Sequence, residues 1–191
     1  MSETPASVSS AKPAWQRTHT CGQLRGTDAD SSVILNGWVA SRRDLGGIYF
    51  LDLRDRYGIT QIVVEEELAG TVQVGPEFVL AVHGKVRSRG ENVNTDRPTG
   101  EIEVVATEIE ILSSSPTPPI EVIEDLDTAV ETRLQWRFLD LRRPPLQRNL
   151  MHRAKFTNAM RRAFDARDFV EVETPLLTKA TPEGARDYLV P

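Results

Sequence analysis

The sequence is poor in the residues that anchor metal, redox or membrane chemistry. Its 191 residues include one cysteine, Cys21, so no disulfide can form within the chain. A reducing, cytoplasmic setting fits that usage. The three histidines, His19, His83 and His152, are scattered without cysteine or histidine partners at ligand spacing, which argues against a structural metal site. No apolar run approaches the roughly 20 residues that a membrane-spanning helix needs, so no membrane partner is expected. The opening "MSETPASVSSAKPAW" lacks the basic start and apolar core of a secretory signal and reads as a disordered tail over 1–16. Glycine-rich phosphate loops of the G-x-x-x-x-G-K-[ST] or G-x-G-x-x-G kind are missing, and "RRDLGG" is too short for either. There is no nucleophile elbow. A catalytic site built from this chain's residues alone is therefore not evident, and no catalytic residue is assigned.

Composition is that of a soluble globular protein, 39% hydrophobic and 27% charged. The net charge of −5 does not advertise nucleic-acid binding, but its distribution is uneven. Glu101 to Glu131 holds nine acids and no Lys or Arg, whereas Arg133 to Arg167 holds ten Lys/Arg against Asp140 and Asp165. The switch fits a change of module near residues 120 to 130, or simply the solvated faces of separate elements.

Turn residues divide the first half into short β-like runs: "SVILNGWVASRR", "GGIYFLDLRD", "ITQIVVEE", "EFVLAVHGKVRSR" and "TGEIEVVATEIEIL". A short helix is expected within 66–76. Five strands fit a Greek-key barrel of the oligonucleotide-binding (OB) type, and a small β-sandwich fits nearly as well. "SSSPTPPIEVIED" cannot continue a central strand and reads as a hinge. Beyond it, Leu146, Leu150, Ala154, Thr157, Met160 and Phe164 recur at helical spacing and predict a helix over Leu146–Arg167. "FVEVETP" then alternates as a strand that stops at Pro175.

In "IYFLDLRD", Tyr49, Leu51 and Leu53 share an apolar face, while Ile48, Phe50, Asp52 and Arg54 share a mixed face that looks solvated. If "DRYG" is a four-residue hairpin loop, Arg54 pairs with Ile59, Asp52 with Gln61 and Phe50 with Val63. Gln61 is then diagonal to Phe50 on one face. An aromatic beside an amide, flanked by Arg42, Arg43 and Arg54, suits single-stranded nucleic acid. The ring stacks a base, the amide reads a base edge, and arginines hold phosphates. Packing of Phe50 under a neighbouring element is the alternative. Arg87 and Arg89 extend the basic patch into the loop "GENVNTDRPTG", which lines a binding face or is an ordinary solvated hairpin. The basic helix Leu146–Arg167 touches phosphates or simply presents a solvated face.

Taken together, "RTHTCGQL", "GWVASRRDLGGIYFLDLRDRYGITQIV", "TGEIEV", "WRFLDLRRP", "RNLMHRAK" and "TPEGARDYLVP" resemble the bacterial-type aspartyl-tRNA synthetases, class II aminoacyl-tRNA synthetases. The resemblance implies an OB-fold anticodon-binding domain over 17–115, a hinge over 116–130 and the start of an α+β class II catalytic domain over 131–191. It implies that Phe50 stacks on an anticodon base and that Gln61 contacts the central uridine. Arg43, Asp44, Arg87, Arg89, Asn94 and Glu103 lie where this family also approaches the anticodon. Leu45 stands where members that also charge asparagine tRNA often have histidine, which leans towards aspartate tRNA alone. Ser41 departs from the arginine or histidine usual in "WVxRRR". The helix, strand and Pro175 resemble motif 1, which implies a homodimer. Glu183 matches the glutamate of a mobile loop that holds the ammonium of L-aspartate. By the same resemblance, the parent enzyme uses ATP and Mg²⁺ to charge aspartate tRNA. Motifs 2 and 3 lie beyond the last residue, so this chain alone is expected neither to bind those cofactors nor to aminoacylate. A stand-alone RNA-binding module and a sister ligase for asparagine or lysine are the rival readings.

Overall fold

The computed structural model describes residues 15–176, in two units divided between Val122 and Ile123. In the first unit, runs rich in apolar and β-branched residues make five strands: β1 (Ser32–Asp44), β2 (Tyr49–Arg54), β3 (Ile59–Val64), β4 (Val79–Ser88) and β5 (Ile102–Ser113). They close into a barrel in the order β1-β2-β3-β5-β4, which decides for the OB-type barrel over the sandwich. The closure is the parallel pairing of β3 with β5 at Ile62↔Val104 and Val63↔Val105. One helical turn, α1 (Glu66–Ala69), lies within the expected 66–76 stretch.

Strand β1 shows the logic. Val33, Leu35, Gly37 and Val39 are buried in alternation, and a register shift between Val39 and Ser41 follows. Beyond it, residues 41–44 are exposed. Leu35, Leu51, Leu53, Ile62, Leu80, Ile102 and Val104 are fully excluded from solvent and fill the barrel. Each such side chain is worth about 1.5–3 kcal/mol of burial.

The β2–β3 hairpin has the expected register, with Arg54↔Ile59, Asp52↔Gln61 and Phe50↔Val63. Its turn is fixed by Asp55, whose Oδ1 accepts from the backbone N–H of Tyr57 (2.7 Å) and of Gly58 (3.0 Å). Asp55 Oδ2 accepts from the N–H of Cys21 at 3.0 Å, which pins the N-terminal segment to the turn. A Cβ on Gly58 would lie 2.7 Å from Gly22 Cα, so this crossing requires glycine. Cys21 is buried here, and burial first, then the Asp55 charge, pushes its thiol pKa up against the opposing field of Arg17.

The second unit contains α2 (Val130–Gln135), α3 (Arg137–Asp140) and α4 (Pro144–Asp165). Helix α4 begins two residues before the expected Leu146, because proline suits the first helical turn, where its missing N–H costs nothing. The short α2 and α3 had no sequence signal. They are organised by Asp140, which is wholly buried and accepts from Arg133 (3.0 Å), Arg137 (2.7 Å) and Arg143 (3.1 Å). Burial would raise the Asp140 pKa, but the hydrogen bonds and positive fields of these arginines hold it below the usual carboxylate value. Arg143 also donates to the carbonyls of Ile123 and Glu124.

In this unit the expected strand does not form. The "FVEVETP" stretch is not a strand: residues 169–175 take no regular structure. Strand geometry is held by hydrogen bonds to a neighbouring strand, and among the described residues none pairs with this stretch. Likewise no residue of α4 is buried, and Leu150, Phe156, Met160 and Phe164 are exposed.

Candidate nucleic-acid interface

The face of β2 that carries Phe50, Asp52 and Arg54 is not the solvated surface its pattern suggests. Asp52 is 6% exposed, Gln61 8% and Glu103 9%. They are covered by arginines that reach across from other strands and from the β4–β5 loop. The result is a polar layer in which each acid orients guanidinium groups.

Gln61 is central. Its Oε1 accepts from Arg43 Nη2 at 3.3 Å, and its Nε2 donates to Glu103 Oε2 at 3.1 Å. An arginine can only donate and a carboxylate can only accept, so these partners fix which way the amide points. These two contacts use one of the two amide N–H groups and one of the two lone pairs of Oε1. Glu103 lies opposite Arg87 in the β4–β5 register. Its Oε1 accepts from Arg87 Nε (2.9 Å) and Nη2 (2.7 Å), while Arg89 Nε stands 4.0 Å from Oε2. Half of the Arg87 side chain remains open to solvent.

Asp52 anchors the second cluster. Its carboxylate accepts both terminal nitrogens of Arg97, at 2.6 and 2.9 Å, and the hydroxyl of Ser41 at 2.8 Å. Burial would raise the Asp52 pKa. The hydrogen bonds from Arg97 and Ser41, with the fields of Arg97 and Arg43, outweigh it and hold the carboxyl below its ordinary value. Neither Asp52 nor Arg97 was singled out from the sequence. The alternation in "YFLDLR" places Asp52 on this face, but nothing in "NTDRPTG" signals that Arg97 folds back onto it.

Phe50 is half-buried on the same face, opposite Arg43 on β1 and Val63 on β3. Arg43, Phe50, Gln61, Glu103, Arg87 and Arg89 are thus brought to one surface. Asn94 shapes the adjoining loop: its Oδ1 accepts the N–H of Asp96 (3.0 Å), and its own N–H donates to Gly100 O (3.0 Å). Asp44 closes the β1–β2 turn by accepting the N–H of Gly47 at 3.3 Å, and Leu45 is 68% exposed there. Two flanking arginines are committed elsewhere. Arg42 lies over the Tyr49 ring at 4.0 Å and donates to Val74 O. Arg54 pairs with Glu77 at 2.7 and 2.8 Å and donates to Val122 O. In the second unit, Pro175 is exposed in the irregular 169–175 stretch. Glu183 lies outside the described residues.

Comparison with known proteins agrees with this division. Residues 33–112 match the OB-fold nucleic acid binding domain family, and residues 129–191 match the class II tRNA synthetases (D, K and N). The chain is 50% identical over 182 residues to an aspartate–tRNA(Asp/Asn) ligase of Acidobacterium capsulatum, covering 92% of this chain and 30% of that protein. It is 52% identical over 182 residues to the ligase of the same name from Caldanaerobacter subterraneus subsp. tengcongensis, covering 92% of this chain and 31% of that one. The chain therefore spans about a third of the length of these relatives. Among solved structures, the aspartyl-tRNA synthetase of Entamoeba histolytica superposes with a TM-score of 0.78 at 20% identity, covering 90% of this chain and 42% of that one. The asparaginyl-tRNA synthetase of Pyrococcus horikoshii complexed with asparaginyl-adenylate gives 0.72 at 24% identity, over 87% and 38%. At these identities the likeness concerns the fold. Over the matched residues this chain is a homologue of the aspartate–tRNA ligases, with an OB-fold nucleic acid binding domain followed by part of a class II tRNA-synthetase domain.

Proposed function

We propose that the barrel of this chain binds the anticodon loop of aspartate tRNA, and that the whole protein attaches L-aspartate to that tRNA. The observation that carries the reading is the Phe50–Gln61 pair: a half-buried ring beside an amide whose polarity is fixed by Arg43 and Glu103. The ring stacks a base, Gln61 reads the central uridine, and Arg87 and Arg89 face the backbone. Asn94 and Asp44 hold the two loops at the rim.

The reaction of the whole protein is ATP- and Mg²⁺-dependent, passes through an activated aspartate, and takes place in the cytoplasm. Among the described residues no group of three or more His, Cys, Asp or Glu is placed to hold a metal ion. Glu183 is proposed to accept the ammonium of bound aspartate as a charge-assisted hydrogen bond. Pro175 and the exposed apolar face of α4 are proposed to meet a second copy of the protein. Leu45 is proposed to favour aspartate tRNA alone. Charging of asparagine tRNA as well, the breadth that the relatives' names carry, would contradict that last point.

The test is titration of an aspartate-tRNA anticodon stem–loop into the chain, beside the same stem–loop with the central uridine replaced. Phe50→Ala should weaken binding by about tenfold or more, from about 1–3 kcal/mol of lost stacking. Equal affinity of the unmodified chain for both loops, with no loss in F50A, would refute the reading.

A further inference from the structure

We propose that Arg97 is an additional contact to the RNA phosphate backbone on this face, held in position by Asp52. The inference rests on the reading that the face binds an anticodon loop. Asp52 lies directly opposite Gln61 on β3 and two residues from Phe50 on β2, so whatever Asp52 holds sits among the base-contacting groups. What it holds is a guanidinium delivered from the β4–β5 loop.

The geometry leaves that group able to act. Asp52 takes one N–H from each terminal nitrogen, two of the five donors that a guanidinium carries. The Arg97 side chain is 30% exposed, whereas Asp52 is almost wholly covered, so the acid lies beneath and the cation faces outward. Ser41 completes the carboxylate from the side and keeps it from turning towards a ligand. The loop is tied down independently, because Thr99 Oγ1 donates to Ile59 O at 2.5 Å and Asn94 N–H donates to Gly100 O. Arg97 is therefore not needed merely to close the loop. A planar fork held by a buried acid is a preorganised donor for phosphate oxygens and gives up little side-chain freedom on binding. The arrangement also bears on Ser41. Ser41 pairs with Asp52 across β1 and β2, which brings its hydroxyl onto the carboxylate at 2.8 Å.

A backbone contact has a signature that a purely structural arginine lacks. Each neutralised phosphate contributes about 0.7 to the slope of log affinity against log salt for single-stranded RNA. The experiment measures the affinity of the 191-residue chain for the aspartate anticodon stem–loop between about 50 and 200 mM salt. It compares the unmodified chain, Arg97→Gln, Arg97→Lys and Phe50→Ala. R97Q should bind about tenfold more weakly, alike for cognate and base-substituted loops, with the slope reduced by about 0.7. R97K keeps the charge and should keep the slope.

An R97Q slope equal to that of the unmodified chain overturns the proposal, whether or not affinity falls, because Arg97 then only braces the loop. A loss confined to one anticodon sequence overturns it in favour of base reading. Should R97Q fail to fold, a reduced slope in R97K overturns it equally. If F50A loses affinity while R97Q does not, only this inference fails. If the unmodified chain binds no loop, this inference and the function it rests on fail together.

Discussion

Replacing Asp52 by asparagine tests whether the polar layer is built as described. The substitution keeps the shape of the side chain but removes the charge, and it sets an amide N–H₂ against the Arg97 guanidinium, which only donates, while the Ser41 hydroxyl can turn to accept. Three hydrogen bonds are at stake: two from Arg97 at 2.6 and 2.9 Å and one from Ser41 at 2.8 Å. Breaking one side of a buried ion pair costs about 3–5 kcal/mol. Arg97 is 30% exposed and can be rehydrated, so solvent screening brings the expected cost down to about 1.5–3 kcal/mol. The sign with pH follows from the depressed pKa of Asp52. A carboxyl whose folded pKa lies below its unfolded value of about 3.9 contributes its full stability above that value. The contribution disappears as pH falls through the folded pKa. The gap between the unmodified chain and D52N should therefore be flat around neutrality and shrink only below about pH 4. Hydrogen exchange at the Leu51, Leu53 and Val104 amides reads the opening of the barrel itself, separately from the second unit. Equal protection of D52N and the unmodified chain at neutral pH, or a gap that widens towards acid, would refute the reasoning.

Other expectations concern single contacts. Gly58→Val should destabilise the barrel by about 1–3 kcal/mol, since its Cβ must enter a space 2.7 Å from Gly22 Cα; thermal unfolding checks this. Asp140→Ala should remove the anchor of α2 and α3 at a cost of about 3–5 kcal/mol, read as lost protection of the Leu139 to Arg143 amides. Cys21 should resist thiol reagents in the folded chain at mildly alkaline pH and react on unfolding, because burial raises its pKa and closes access. Rapid labelling of the folded chain would contradict its placement.

How much was legible in the sequence differs from place to place. The five strands were readable because each run is rich in apolar residues and bounded by turn residues; burial alternates along β1, whereas β3 buries Thr60 to Val64 in succession. The hairpin register followed from a single fact, the four-residue "DRYG" loop, and with it the pairing of Asp52 with Gln61. Closure of the barrel was not readable, since the β3–β5 pairing joins segments about 40 residues apart with no local trace. The polar face was misjudged for the same reason. Asp52 and Gln61 look solvated along their own strands, and only the long-range arrival of Arg97 and Glu103 buries them. The distant Glu77 likewise took Arg54 out of the basic patch. Helices α2 and α3 escaped notice because their organiser is a buried charge rather than an apolar stripe. The 169–175 stretch had a strand's pattern without a strand's partner, and periodicity reports only the first.

The most direct test of the account is an NMR titration of the isotope-labelled chain with the aspartate anticodon stem–loop. The account predicts amide shifts confined to residues 41–52, 61–63, 87–97 and 103–105, with Phe50 and Gln61 among the largest. Shifts centred on α4 instead, or none on the barrel at saturating RNA, would contradict it.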